Sequence, residues 1–255
     1  MKKLLVCLLA LLLAAAPALG EEAADGSAHA FEGSGFDSPE EAVTAYLEAM
    51  QEGDVQGMLS TFAIETYVDN VDAQTYLTRM GAFVPDDQEG VPLSNAYARE
   101  ITISRRYAGL ADQLYMQYLY YSWPEEYGEF TGDALRLNEA GGADAFLSAM
   151  SASTFADALA GMEIVGFADP AALNDNYASQ INQETIARQM TSYGCDEVAD
   201  IAVRLNMGGE EWYQCMWAAR YGEKWYNLSL SGNIGALLAI RTNAGGLVPA
   251  AALPE

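Results

Sequence analysis

The chain has 255 residues, 51% of them hydrophobic, with 36 acidic side chains against 12 basic ones and a net charge of −24. Such a charge repels nucleic acid and anionic lipid, which excludes both as expected partners. It reads as the solvated surface of a soluble exported protein, with an acidic docking face for a cationic partner as the other reading.

Residues 1–20 place Lys2 and Lys3 before an apolar run from Leu4 to Ala18, followed by the small residue Gly20. That is the layout of a secretory signal peptide cleaved near Gly20, and it predicts a secreted, extracytoplasmic product. The apolar run is shorter than the roughly 20 residues a spanning helix needs. Cys7 stands too early in it to carry a lipid, and residues 233–255 are too broken by Arg241 and glycines to cross a bilayer. No stable membrane anchor is therefore expected. Residues 21–36, EEAADGSAHAFEGSGF, are acidic and glycine-rich without an apolar period and read as a flexible leader holding the only histidine, His29. With no histidine beyond it, Ser-His-Asp and Cys-His mechanisms and His-ligated zinc are excluded.

The folded part opens at Ser38, a natural N-cap, with Pro39 at the first helical position and Glu41 completing a capping box. Val43, Tyr46, Leu47 and Met50 then form one apolar stripe along a helix. Gly53 closes it, and Asp54 caps a second helix carrying Val55, Met58, Leu59 and Phe62. A further helix is expected at residues 72–80, with Asp69 and Asp72 as caps, and a loop at 85–92. Tyr107, Leu110, Ala111, Leu114, Tyr118 and Tyr121 repeat at helical spacing up to the stop at Pro124. Residues 131–144 read as a loop, 145–159 as a short helical stretch, 162–170 as a strand ended by Asp169-Pro170, and 181–190 as a helix.

Residues 197–230 alternate in polarity and are punctuated at Met207-Gly208-Gly209 and Gly222-Glu223, which predicts a three-stranded antiparallel meander. A two-residue turn at Gly222-Glu223 sets Ala219 opposite Tyr226, Trp217 opposite Leu228 and Cys215 opposite Leu230. For the first hairpin a three-residue loop puts Ile201 opposite Cys215 and Val203 opposite Tyr213, so that the apolar sets share a face. That face carries Tyr213, Cys215, Trp217, Ala219, Tyr226, Leu228 and Leu230. The other carries Arg204, Trp212, Gln214, Met216, Arg220, Trp225 and Asn227. In this register Cys195 and Cys215 are too far apart to bond unless residues 193–197 fold back.

The stretches SPEEAVTAYLEAM, GMLSTFAIETYV, IVGFADP and ARYGEKWYNLSLSGNIGALL resemble secreted bacterial proteins of the NTF2-like (cystatin-like) superfamily. The resemblance implies an α+β fold, a helix-capped cone around a curved antiparallel sheet, with a pocket between the helices and the concave sheet face. It places one such domain at 37–242, elaborated by helices at about 85–195 and followed by a tail at 243–255. Enzymes and non-enzymatic binding modules share this fold, so it does not assign a role.

Candidate pocket residues are Tyr46, Met50, Phe62, Tyr213, Trp217 and Tyr226. Glu65 beside Tyr67, in an apolar run, is the candidate general acid or base, with a helix-end residue facing water or bonding backbone amides as the alternative. Trp212, Met216 and Trp225, with Arg204 and Arg220, form a candidate interaction face or homodimer surface. No calcium loop, phosphate loop or zinc cluster can be assembled from the remaining motifs, so no metal or cofactor is expected. The leading expectation is a non-catalytic module for a small apolar or amphipathic ligand or a cell-envelope component. An isomerase- or dehydratase-type enzyme and an interaction module are the alternatives.

Overall fold

The computed structural model describes residues 31–81, 96–130 and 142–253. The expected signal peptide, most of the expected leader with His29, and the loops expected at 85–92 and over most of 131–144 lie outside them. Helix α1 spans Pro39–Glu52, with the Glu41 amide donating to Ser38 Oγ at 3.1 Å. The Glu41 carboxylate accepts from the amide of Asp37, one residue before the cap, at 3.1 Å. Gly53, in the left-handed region, ends the helix, and Asp54 caps α2, Val55–Ser60. Val43, Tyr46, Leu47 and Met50 are all buried, as their spacing predicts.

Helix α3 spans Glu65–Asn70 and α4 spans Ala73–Met80, the latter capped by Asp72. Asp69 instead pairs with Arg99 at 2.5 Å. The long α5, Ala96–Ser122, stops before Pro124, and α6, Gly142–Ser151, and α7, Phe155–Ala160, follow. Then come β1 (Glu163–Ala168), α8 (Pro170–Leu173), a 3-10 turn at Asp175–Ala178 and α9 (Gln180–Tyr193). Strands β2 (Glu197–Met207), β3 (Glu210–Tyr221) and β4 (Lys224–Leu230) form the expected meander, followed by α10 (Gly232–Leu237) and β5 (Leu247–Pro249).

The fold class is α+β, built on an antiparallel sheet of order β1-β2-β3-β4, with β5 beside β3. Bulges between Ile164 and Gly166 and between Trp217 and Ala218 bend it. The β2–β3 hairpin corrects the expected register. Its turn is the two-residue Gly208-Gly209, with φ of 60° and 85°, which a glycine pair adopts without strain. Met207 therefore pairs with Glu210, Ala202 with Cys215, Ile201 with Met216, Val203 with Gln214 and Leu205 with Trp212. Tyr221 pairs with Lys224 and Ala219 with Tyr226, as expected. The bulge then shifts the next pairs to Trp217 with Ser229 and Met216 with Leu230, displacing the expected partners of Trp217 and Cys215.

The two faces change roles as a result. The polar-looking side of β3 and β4 faces α1 and α5, because its amides find partners inside the core. Gln117 of α5 donates to Gln214 Oε1 at 3.3 Å and to the Gly245 carbonyl at 3.1 Å, while accepting from the Tyr46 hydroxyl at 3.2 Å. Gln214 donates to the carbonyls of Gly245 and Cys215. Asn227 donates to Ala42 O and to Thr61 Oγ1 at 2.8 and 2.9 Å. Buried amides whose N–H groups are bonded in this way belong to a core as leucine does, although Asn227 Oδ1 finds no partner among the described residues. On the opposite face, Ala202 and Cys215 pack against Ile234 and Leu238, with Leu173 and Tyr177 beside them.

Residues 231–246 leave the sheet and return at one point. Ser231 N donates to Cys215 O at 2.9 Å, α10 crosses the face, and Cys215 N then donates to Gly246 O at 2.8 Å. Strands β4 and β5 thus share one edge of β3 end to end. The expected tail is consequently part of the sheet, with Leu247 fully buried. The end of the expected leader is docked as well: Phe36 bridges Trp225, and Phe31 packs at a tilt against Tyr107 with ring centroids 4.7 Å apart. Cys195 and Cys215 are both free and buried.

Candidate functional site

The space envisaged between α1 and the sheet is filled by the chain itself. Tyr46 and Phe62 are fully buried with rings edge to face at 5.8 Å, and Met50 packs in the same core. Trp217 and Tyr226 belong to the same buried cluster as these three residues, although Trp217 alternates with Met216 along β3, while Tyr213 lies outside it. The Tyr213 hydroxyl donates to Glu211, and Trp217 contacts Tyr193 with ring centroids 6.2 Å apart. Tyr226 is buried beside Gly35.

The expected interaction face is covered. Met216 is fully buried, Trp225 is buried, and Trp212 meets Tyr121 edge to face at 5.5 Å. Arg220 pairs with Glu197 and donates to Gly222 O, and Arg204 remains exposed across from Gly166.

Glu65 takes the amide-bonding alternative. Its carboxylate accepts from the amides of Phe31 and Glu32 at 2.6 and 3.2 Å. Glu32 reciprocates by accepting from the amides of Ile64 and Thr66 at 2.6 and 3.0 Å, and from the Thr66 hydroxyl. The two carboxylates form a latch holding residues 31–32 to the start of α3, a region whose first amides have no helical acceptor.

Tyr67 has a different environment. With Arg106, Gly109, Leu110, Gln113, Tyr193, Leu228 and Ser229 it lines a cavity of about 190 Å³. The Arg106 guanidinium lies 3.7 Å above the Tyr67 ring centroid, and it donates to Ala63 O at 2.7 Å and to Leu228 O at 3.0 Å. Cation–π contact and two carbonyls fix the plane of the fork. Leu110 and Leu228 supply buried apolar wall, Ser229 a half-buried hydroxyl, and Gln113 an exposed amide. Among the described residues no carboxylate lines this cavity, although acids outnumber bases threefold in the chain. Its wall suits a small molecule with an apolar body and an acidic or strongly polar head.

Gly109 contributes the space. It lies inside α5, and nothing stands within 4 Å of the point a Cβ would occupy. A glycine in a helix interior is about 1 kcal/mol less favourable than alanine. Gly109→Ala is therefore expected to stabilise the protein by about 1 kcal/mol, read as a higher denaturation midpoint at unchanged slope. A loss of stability would show that the space is occupied in solution. Of the lining residues, helical spacing marks Leu110, strand alternation marks Leu228, and Tyr67 stands beside the candidate Glu65. The available signal for the rest was a glycine and an arginine interrupting the tyrosine-rich stripe of α5.

A second ionisable group is buried on the opposite face. Asp200 is 7% exposed, pairs across the strands with Trp217, and accepts from Ile234 N at 3.1 Å. Burial pushes its carboxyl up to about 6. The Cys195 and Cys215 thiols are pushed up to about 11 and about 12, also by burial, and remain protonated and unreactive at neutral pH. Among the described residues, no group of three or more His, Cys, Asp or Glu side chains is placed to hold a metal ion. No described helix is long and apolar enough to cross a membrane. Comparison with family models, curated proteins and solved structures gives no match to this chain.

Proposed function

We propose that the chain is a secreted, non-catalytic binding module of NTF2-like architecture, and that its ligand is a small amphipathic molecule seated against Arg106. The observation that carries this reading is the cavity beside α5, where a fixed guanidinium, a hydroxyl and an amide surround apolar wall. Export is supported by the basic and apolar order of residues 1–20, and the architecture by two capped helices packed on a bulged antiparallel sheet. The engagement of Glu65 by two backbone amides favours binding over acid–base chemistry at the residue the enzyme alternative requires.

The reading is tested by thermal denaturation of the purified protein against a panel of small carboxylates, acyl amino acids and phosphorylated sugars. A binder raises the melting temperature in proportion to the logarithm of its concentration. The expected result is a shift from acid-headed amphiphiles that is lost in Gly109→Leu, whose side chain enters the cavity. A panel without any shift, or a shift that survives Gly109→Leu, would overturn the assignment to this cavity.

A further inference from the structure

Strand β1 is an open edge of the sheet. Its inner side is paired with β2, and among the described residues no strand or bridge pairs with its outer side. Exposed edges are normally guarded by charge, because their unpaired amides and carbonyls template another strand. Here the strand presents Ile164, Val165 and Phe167, which are 37%, 51% and 48% exposed. Ile164 stands across from Leu205 and Phe167 across from Val203, both fully buried. The helix-side core therefore runs out to an uncovered rim at this edge.

The charges around the edge select its occupant. Glu163 begins the strand and Asp169 follows it. At the hairpin end Glu163 pairs with Asn206, which pairs in turn with Glu211, next to Glu210. Arg204 stands across from Gly166 in the middle of the strand. A second copy is a poor occupant: antiparallel self-pairing centred on Gly166 sets Glu163 against Asp169 at both ends, between chains that each carry −24. A segment with apolar side chains at alternate positions and lysine or arginine at its ends satisfies the open edge, the apolar rim and the flanking acids together.

We propose that the outer edge of β1 docks such a basic-flanked, extended segment of a partner protein, adding one strand to the sheet. Main-chain hydrogen bonds hold the strand, Ile164 and Phe167 give it an apolar floor, and Glu163, Asp169 and the hairpin acids set its ends.

The test is fluorescence anisotropy of the purified protein with a labelled peptide of alternating threonine and valine flanked by lysines. Saturable binding is expected, weakened at least about tenfold in Val165→Lys/Phe167→Lys and lost when the peptide's lysines are replaced by glutamate. A peptide N-methylated at alternate amides is expected not to bind the unmodified protein, a readout that does not depend on the variant folding. Absence of saturable binding, equal binding of the glutamate peptide, or full binding of the N-methylated one would each overturn the proposal. So would light scattering showing a dimer that Val165→Lys dissociates, because the occupant would then be a second copy.

Discussion

Replacement of Gly246 by alanine is expected to destabilise the protein by about 3 kcal/mol or more, combining backbone strain with overpacking. Gly246 has φ of +77°, and a Cβ there would collide with Cys215 O and lie 2.7 Å from Ser231 N. Those backbone atoms cannot yield independently, since Cys215 O accepts from Ser231 N and Cys215 N donates to Gly246 O. The strain also cannot be relieved by moving β5 outward, because Gln117 and Gln214 hold the adjacent Gly245 carbonyl from inside. Urea denaturation measures the effect. A loss below about 1 kcal/mol would mean that the chain rejoins the sheet less tightly than these contacts require.

Asp200→Asn is expected to change how stability depends on pH. The folded-state pKa, about 6, lies above the ordinary value of 3.8, so between them the folded protein binds more protons than the unfolded chain. The stability associated with this proton is full below about pH 3.8 and is lost as pH rises through about 6. The shift of roughly two units corresponds to an upper bound of about 3 kcal/mol. Asparagine keeps an acceptor for Ile234 N without the buried charge. The stability of the variant relative to the parent is thus expected to rise by up to that amount between pH 4 and pH 6.5 and to level off above it. A pH-independent difference between the two proteins would show that Asp200 keeps an ordinary carboxylate pKa when folded. Exposed carboxylates such as Asp37 and Asp72, whose pKa values are lowered by hydrogen bonds, are common to both proteins and cancel in the comparison.

Local signals in the sequence were sufficient for local structure. Ser38, Asp54 and Asp72 act as caps because a short side chain before an apolar period can reach only the first helical amides. The meander and its Gly222-Glu223 turn follow from alternation and turn chemistry for the same reason. Sheet polarity was misread because Gln214 and Asn227 look like solvent residues until their partners are known. Gln117, Gly245, Ala42 and Thr61 lie far from them in the chain, and no periodicity reveals them. The register error has the same root: a three-residue loop was needed only to keep those amides outside. The site is legible at Tyr67, Leu110 and Leu228 alone, because Arg106, Tyr193 and Ser229 converge from three separate elements.

The hydrogen bonds that close the helix-side core also set how the molecule reaches its native state. Asn227 binds the Ala42 carbonyl across 185 residues, and Lys224 pairs with Asp37 across 187. The contacts between α1 and β4 therefore form only when the two ends of the chain are brought together. Loop closure over such separations precedes any reward from these contacts, which delays them relative to the local hairpins of the meander. In a chain nicked within the intervening helices the same contacts would join two separate fragments, and their formation would become a bimolecular, concentration-dependent step.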